Sequence, residues 1–316
     1  MLAIVIPAYK RPECLRQALE SLTVQTNKKF FVVVVDDASP EPLEPITKEF
    51  ENKLRITYLR LETNSGPGVA RQTGLDLVYE SNIDLVMFMD SDDMLYPNAV
   101  ERLTYEINVG MHNVVSSAIW AEQYKSTGFM LEPSNKTWLH GKIFRTKYLY
   151  DNKIFFPKIR TNEDLAFNLK AILNTTKSAY IEEVLYLFRD EKRSITRDKT
   201  TNLIHRVFSI DYIYAIYDVY NYFTNNGAQD LPKQLTIDIL NTYNYYQTGL
   251  CIYTELSEDV KQYIKEMLHH PSIQKIINKP SLLVQYSQIF KNFNYYHKNM
   301  YLFPQTLKEY LEEFAL

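Results

Sequence analysis

Leu2-Ala3-Ile4-Val5-Ile6, which runs into Pro7-Ala8-Tyr9, and Phe31-Val32-Val33-Val34-Val35, which runs into Asp36-Asp37-Ala38-Ser39, are the two stretches on which the fold turns. Each is a short, nearly all-apolar, β-branched run that stops at a polar loop, the pattern of a strand buried on both faces of a parallel sheet. Between them, Pro12 to Gln25 sets Leu15, Ala18, Leu19 and Leu22 at helical spacing, with Pro12 suited to a first turn. That is one strand-helix-strand unit. The alternation continues with a strand over Arg55–Leu61, a helix over about Val69–Tyr79, a strand over Asp84–Met89 and a helix opened by Pro97. An α/β fold with a doubly wound, mainly parallel sheet and right-handed crossovers follows.

Beyond about Val114 the alternation becomes irregular, with strands near 113–119 and 179–187 and a helix at about 163–173. From about Thr200 the pattern changes to long amphipathic helices, around Ile204–Phe223 and Leu235–Tyr253, broken by Gly227, Pro232, Pro271, Pro280 and Pro304. The chain therefore reads as an α/β domain over 1–200 and a helical C-terminal region over 201–316.

The 316 residues suffice for a large core, and an apolar share of 46% with both charge signs interspersed describes a folded protein rather than a disordered one. A net charge of -3 supplies no basic field, so nucleic acid is not indicated as a partner. Cys14 and Cys251 are too few and too far apart for a disulfide framework or a cysteine metal site. The first residues lack the basic segment of a signal peptide, and no apolar run is long enough for a transmembrane segment. A cytoplasmic protein, at most peripheral to the inner face of a membrane, is expected.

Ligands of open α/β sheets collect at the carboxyl ends of the strands, which directs attention to the loops. The loop after the first strand has neither the glycine-rich dinucleotide fingerprint nor a G-x-x-x-x-G-K phosphate loop. The loops after the second and fourth strands carry Asp36-Asp37 and Asp90-Ser91-Asp92-Asp93. Three carboxylates within four residues repel one another in a water-poor cleft, and a hard divalent cation, Mg²⁺ or Mn²⁺, relieves the conflict. Such a cation keeps positions open for phosphate oxygens, as a nucleotide diphosphate would supply. A solvated acidic turn capping the next helix is the other reading of the same loop.

In order along the chain stand Pro7-Ala8-Tyr9, Val35-Asp36-Asp37-Ala38-Ser39, Asn64-Ser65-Gly66-Pro67, Ala70-Arg71-Gln72 and Asp90-Ser91-Asp92-Asp93. After them come His140-Gly141-Lys142-Ile143-Phe144-Arg145, Phe155-Phe156-Pro157, Asn162-Glu163-Asp164-Leu165-Ala166-Phe167, Tyr186-Leu187-Phe188-Arg189 and Ser194-Ile195-Thr196. This set resembles the GT-A glycosyltransferases of family 2 over roughly residues 1–200. The resemblance implies a Rossmann-like GT-A sheet and an inverting transfer of a sugar from a nucleotide diphosphate donor, most often a UDP-sugar, to an acceptor hydroxyl. It implies that Pro7, Ala8, Tyr9 and Asp37 hold the base, that Arg71 faces the diphosphate, and that Asp90 lies near ribose and metal. Asp92 becomes the direct ligand of Mn²⁺ or Mg²⁺, Asp93 a support of the loop, and Asp164 the catalytic base. For Asp36 a turn-holding role stands beside ligand contact, for Arg71 a structural salt bridge, and for Glu163-Asp164 a helix cap.

One departure stands out. Relatives often carry a histidine shortly after the Tyr-x-x-Arg-like segment, where this chain reads Arg189-Asp190-Glu191-Lys192-Arg193, with Lys192 or Arg193 as a substitute contact or an ordinary surface turn. His140 and His205 read as structural rather than metal-binding. The acceptor implied is a surface glycan, with protein, lipid or a modified nucleobase left open, and the helical region reads either as a carrier of acceptor or homo-oligomer contacts or as a subdomain that buries its own apolar faces. A sugar-nucleotide pyrophosphorylase is disfavoured by the absent glycine-rich stretch. A silent binding module is disfavoured by Asp37, Asp90, Asp92 and Asp164.

Overall fold

The computed structural model describes residues 1–121, 129–131, 138–189, 202–252 and 257–279. The chain divides into two compact units, Met1–Asp198 and Lys199–Leu316.

The first unit begins with β1 (Leu2–Ala8), α1 (Pro12–Thr23), β2 (Phe30–Asp36), α2 (Glu44–Lys48), β3 (Ile56–Arg60), α3 (Pro67–Glu80) and β4 (Leu85–Phe88). It continues through β5 (Met94–Leu95), α4 (Ala99–Val109), β6 (Val114–Ala121), β7 (Phe129–Leu131), β8 (Lys142–Arg145), α5 (Thr146–Asp151), α6 (Glu163–Leu173) and β9 (Ser178–Phe188). All nine strands share one sheet, in the order β3-β2-β1-β4-β8-β6-β9-β5, with β7 on β6. The first half is parallel, since β1 pairs with β2 and β4 and β2 pairs with β3 in that sense. The second half is mixed: β8 runs antiparallel to both β4 and β6, whereas β6 and β9 are parallel. β8 enters the sheet from a loop rather than from a crossover helix, so nothing forces it into the parallel sense. This is why the strand-helix rhythm of the sequence fades after Val114.

β1 extends two residues past the strand read from sequence, through Pro7 and Ala8, which pair with Val35 and Asp36. A proline is tolerated there because β4 stops pairing at Phe88, opposite Val5, so the missing N–H faces a side with no ladder left to join. Leu2, Ile4 and Ile6 with Val32, Val34 and Met87 join the core that α1 covers through Leu15, Leu19 and Leu22. On the other face α3 lies so close that a Cβ on Gly74 would come within 2.4 Å of Val5 Cγ1. Further along, Phe88, Phe144, Phe156 and Phe167 form an aromatic cluster in which Phe156 and Phe167 stack at 4.1 Å. This cluster anchors α6, and with it the position of its first turn.

The second unit contains α7 (Asn202–Asn225), α8 (Lys233–Ile252), α9 (Glu258–Leu268) and α10 (Pro271–Ile277). Ile213, Ile216 and Val219 of α7, Leu235 and Ile239 of α8, and Val260, Ile264 and Met267 of α9 are buried. Tyr217 and Tyr263 stack at 4.0 Å between α7 and α9. No helix among the described residues is long and apolar enough to cross a membrane. Lys192, Arg193, the Ser194-Ile195-Thr196 segment, the side chain of His205 and Tyr253 lie outside the described residues.

Candidate active site

The two acidic turns sit at the carboxyl ends of β2 and β4, and the structure handles them differently. Asp36 is fully buried and accepts from Ser39 N at 2.8 Å, Leu43 N at 3.1 Å, Tyr58 Oη at 2.6 Å and Arg60 Nη1 at 2.6 Å. Burial alone would raise its pKa, but the bonds from Tyr58, Ser39 and Leu43 outweigh it and hold the carboxyl below the usual range. Asp36 therefore ties down its own turn. Asp37 accepts from Ser65 N at 2.7 Å and from Gly66 N at 2.9 Å, one bond to each oxygen, which joins the β2 turn to the loop before α3. Asp37 N in turn donates to the carbonyl of Ala8 at 2.9 Å. Tyr9 is half-buried, with Lys10 Nζ 4.7 Å from its ring centre, and Lys10 adopts a left-handed φ of 57° as the chain turns toward α1.

Asp90 lies at the end of β4 and receives Arg71 Nη2 at 2.5 Å, while Arg71 Nη1 donates to Glu163 at 2.5 Å. Arg71 thus bridges the acidic loop to the first residue of α6 from within the first turns of α3. Burial disfavours its charge, yet Asp90, Glu163 and Asp164 more than offset that and raise its pKa. Burial likewise pushes the Asp90 carboxyl up, and Arg71 and His140 overcome it, so Asp90 is held well below the ordinary value. The seam is tight: a Cβ on Gly68 would stand 2.8 Å from Glu163 Cγ and 3.2 Å from the carbonyl of Pro157. Glu163 itself is pushed up to about 8 by burial and by Asp164, against the pull of Arg71.

Asp164 occupies the second position of α6, behind Asn162, whose left-handed φ of 62° turns the chain into the helix without a side-chain cap. One of its oxygens accepts from Leu165 N at 2.9 Å. Its pKa is raised, burial being the main cause, with Arg71 and His140 opposing. Lys142, buried at the start of β8, feels the charge of Asp164 and is lowered to about 8 by burial. The structure thus gathers Arg71, Asp90, Glu163 and Asp164 into one electrostatically linked group.

His140 joins that group. Its Nε2 lies 3.3 Å from Asp90 and 3.6 Å from Asp93, and its ring packs against Trp138, Tyr186 and Phe188. Ligand atoms of Asp90, Asp93 and His140 all fall within 4.8 Å of one another, a set of two carboxylates and one imidazole that suits a divalent ion such as Mn²⁺. Asp93 also accepts from Tyr186 Oη at 2.6 Å and from Arg189 N at 3.0 Å, which ties the loop to the end of β9, and burial lifts its pKa to about 7. Asp92 stands apart from this trio. Its carboxylate is ion-paired with Arg11, from the turn before α1, and burial and Asp90 raise its pKa against the pull of Arg11.

The sequence reads His140 as structural, whereas the structure sets it beside Asp90 and Asp93; Arg11 is the residue that motif reading passed over. For His140 the one available signal was the missing downstream histidine, which leaves an imidazole to be supplied from elsewhere. Nothing in the sequence marked Arg11, because its partner is distant in the chain.

An acidic loop at a strand end, a buried carboxylate on the first turn of α6 and a half-parallel, half-mixed sheet are the arrangement of a GT-A fold. The model of glycosyl transferase family 2 matches residues 3–161, half of the chain, and the chain belongs to that family. The poly(ribitol-phosphate) β-N-acetylglucosaminyltransferase TarS of Staphylococcus aureus is 29% identical over 206 residues, covering 60% of this chain and 35% of that protein. The succinoglycan biosynthesis protein ExoW of Rhizobium meliloti is 46% identical over 110 residues, covering 33% of this chain and 34% of that one. The chain thus spans about a third of the length of these curated relatives. Among solved structures, TarS in complex with UDP-GlcNAc matches with a TM-score of 0.56 at 21% identity over 84% of each chain. A mannosyltransferase from Pyrobaculum calidifontis in complex with GDP-Man and Mn²⁺ gives 0.51 at 13% identity, over 90% of this chain and 85% of that one. Likeness at these identities speaks for the fold.

Proposed function

We propose that this glycosyltransferase moves a hexosyl or N-acetylhexosaminyl group from a UDP-sugar to a hydroxyl of a surface glycan, with inversion at the anomeric carbon and with a divalent cation. The observation that carries this reading is the linked group of Asp164, Glu163, Arg71 and Asp90, which puts a half-buried carboxylate of raised pKa in the electrostatic reach of the acidic loop. A raised pKa makes Asp164 a stronger base than an ordinary aspartate. It takes the acceptor proton while the acceptor oxygen attacks the anomeric carbon, and the bond from that carbon to the diphosphate breaks on the opposite side. Arg71 keeps Glu163 and Asp90 in register, so that the base and the donor loop hold a fixed separation. Asp90 and Asp92, beside Asp93 and His140, would hold Mn²⁺ or Mg²⁺, which would supply positive charge to the leaving diphosphate. Pro7, Ala8, Tyr9 and Asp37 line the end of the sheet where the base of the donor sits, Asp37 acting mainly through the Ser65-Gly66 backbone it fixes.

UDP-GlcNAc is the first donor to test, since a TarS structure holds it, and the names of TarS and ExoW favour a glycan acceptor. Thermal melts with a panel of nucleotide sugars, with and without Mn²⁺, read the donor directly. A ligand well above its dissociation constant raises stability by roughly 2–4 kcal/mol. The UDP-sugar shift is expected to need Mn²⁺ and to vanish in Asp92→Asn, because an amide is a poor ligand for a hard dication. A shift of unchanged size and metal dependence in that variant would remove Asp92 from the metal site.

A further inference from the structure

Three basic side chains of the protein face the acidic loop, and they are not held alike. Arg71 has a side chain only 6% exposed and is clamped between Asp90 and Glu163. His140 is packed among three aromatic rings between Asp90 and Asp93. Arg11 is the most exposed of the three. Its side chain is 21% exposed, it follows the left-handed Lys10 on the turn before α1, and it reaches across from the base-side loop to Asp92. A dication arriving at Asp90 and Asp92 would meet like charge from whichever protein cation stayed, and Arg11 is the one that can leave at least cost in packing.

We propose that Arg11 is the exchangeable counter-cation of the acidic loop: it holds Asp92 in the free protein, yields that carboxylate to the divalent cation, and turns its guanidinium onto the donor diphosphate. The inference rests on the reading above that Asp92 takes the metal. Guanidinium suits both partners, since its planar fork pairs with carboxylate and phosphate alike. Metal without nucleotide then has to displace Arg11 with no anion to receive it, whereas metal arriving with a diphosphate does not. Metal and nucleotide bind cooperatively as a result, and by linkage each tightens the other by the same factor.

The test is a Mn²⁺ titration of the full chain, read by the paramagnetic signal of free Mn²⁺, alone and at saturating UDP. In wild type, UDP is expected to tighten Mn²⁺ binding clearly. Arg11→Met is expected to bind Mn²⁺ alone more tightly than wild type, by roughly threefold to tenfold as befits a partly exposed ion pair, and to lose most of the tightening by UDP. Arg11→Gln repeats the comparison with a polar side chain in case the methionine variant folds poorly, and Arg11→Lys, which keeps the charge, should stay near wild type for Mn²⁺ alone. A brace with only a structural role would leave Mn²⁺ affinity unchanged or weaken it, and either result in both neutral variants overturns the proposal. No Mn²⁺ binding by any of these proteins, even with UDP, overturns the metal reading itself and this inference with it.

Discussion

The turn after β2 and the turn after β4 both place acidic residues at the carboxyl edge of one sheet, yet they do opposite things with the charge. At Asp36 four donors converge on a buried carboxylate and hold its pKa down. At Asp90-Ser91-Asp92-Asp93 the carboxylates crowd one another beside Arg71 of α3, Arg11 of the turn before α1 and His140 of the loop before β8, and burial lifts Asp92 and Asp93. A satisfied acid is scaffold. Asp36 also has a cation, Arg60, but its lone pairs are filled by three further donors. It is this full satisfaction, set against the crowding of carboxylates after β4, that leaves only the second turn with capacity for a ligand.

Four experiments bear on that contrast, and the largest effect is expected where the charge does chemistry. Asp164→Asn should lower transfer by roughly 10²–10⁴-fold and leave UDP affinity nearly intact, as measured by turnover beside nucleotide titration. Equal losses in both would return Asp164 to a structural role. Next, Arg71→Met removes the bridge between buried Glu163 and the part-exposed Asp90 and is expected to destabilise by about 3–5 kcal/mol in urea unfolding. A loss under about 1 kcal/mol would mean that the bridge is not what joins α3 to α6.

The remaining pair sets the two turns against each other through pH, in protein kept metal-free with chelator. Asp93 is lifted from 3.8 to about 7, so the folded state retains a proton that the unfolded chain has released between those values. Its contribution is present below about pH 4 and lost as pH rises through about 7. Asp93→Asn should therefore gain on wild type across that window, by on the order of 2–4 kcal/mol. Asp36 has the opposite slope: its pKa is lowered, so its contribution is present above about pH 4 and lost as pH falls through the folded value. Asp36→Asn should cost roughly 1.5–3 kcal/mol at pH 7 and progressively less in acid. Parallel pH profiles for the two variants would erase the distinction between the turns.

The parallel half of the sheet was legible because its strands are buried on both faces and announce themselves as apolar runs, with Leu15, Ala18, Leu19 and Leu22 marking the helix between them. The mixed half was not, since β8 is four residues long and its direction is set by a loop rather than by a residue pattern. Pro7 shows the same limit on a smaller scale. A proline reads as the end of a strand, and only the register with β4 reveals that its missing N–H has no partner to lose. At the site, Asp37, Asp90, Asp92 and Asp164 stood out through motif order, and the structure adds what each one touches. The bridge Asp90–Arg71–Glu163 spans 19 residues on one side and 92 on the other, and Arg11 meets Asp92 across 81, separations that no local pattern encodes.

The contact at Gly68 has a consequence for how such an enzyme can change over generations. Its missing side chain gives α3 clearance against Glu163, the residue beside Asp164, since even one added carbon would press on Glu163 Cγ and on the carbonyl of Pro157. Backbone cannot retreat from that pressure as a flexible side chain can, so any substitution there shifts Glu163 and, through it, the neighbouring Asp164. Innovation is therefore channelled away from this seam. New donor or acceptor preferences have to be written in the loops around it, where a side chain can grow without moving Asp164, the base proposed above.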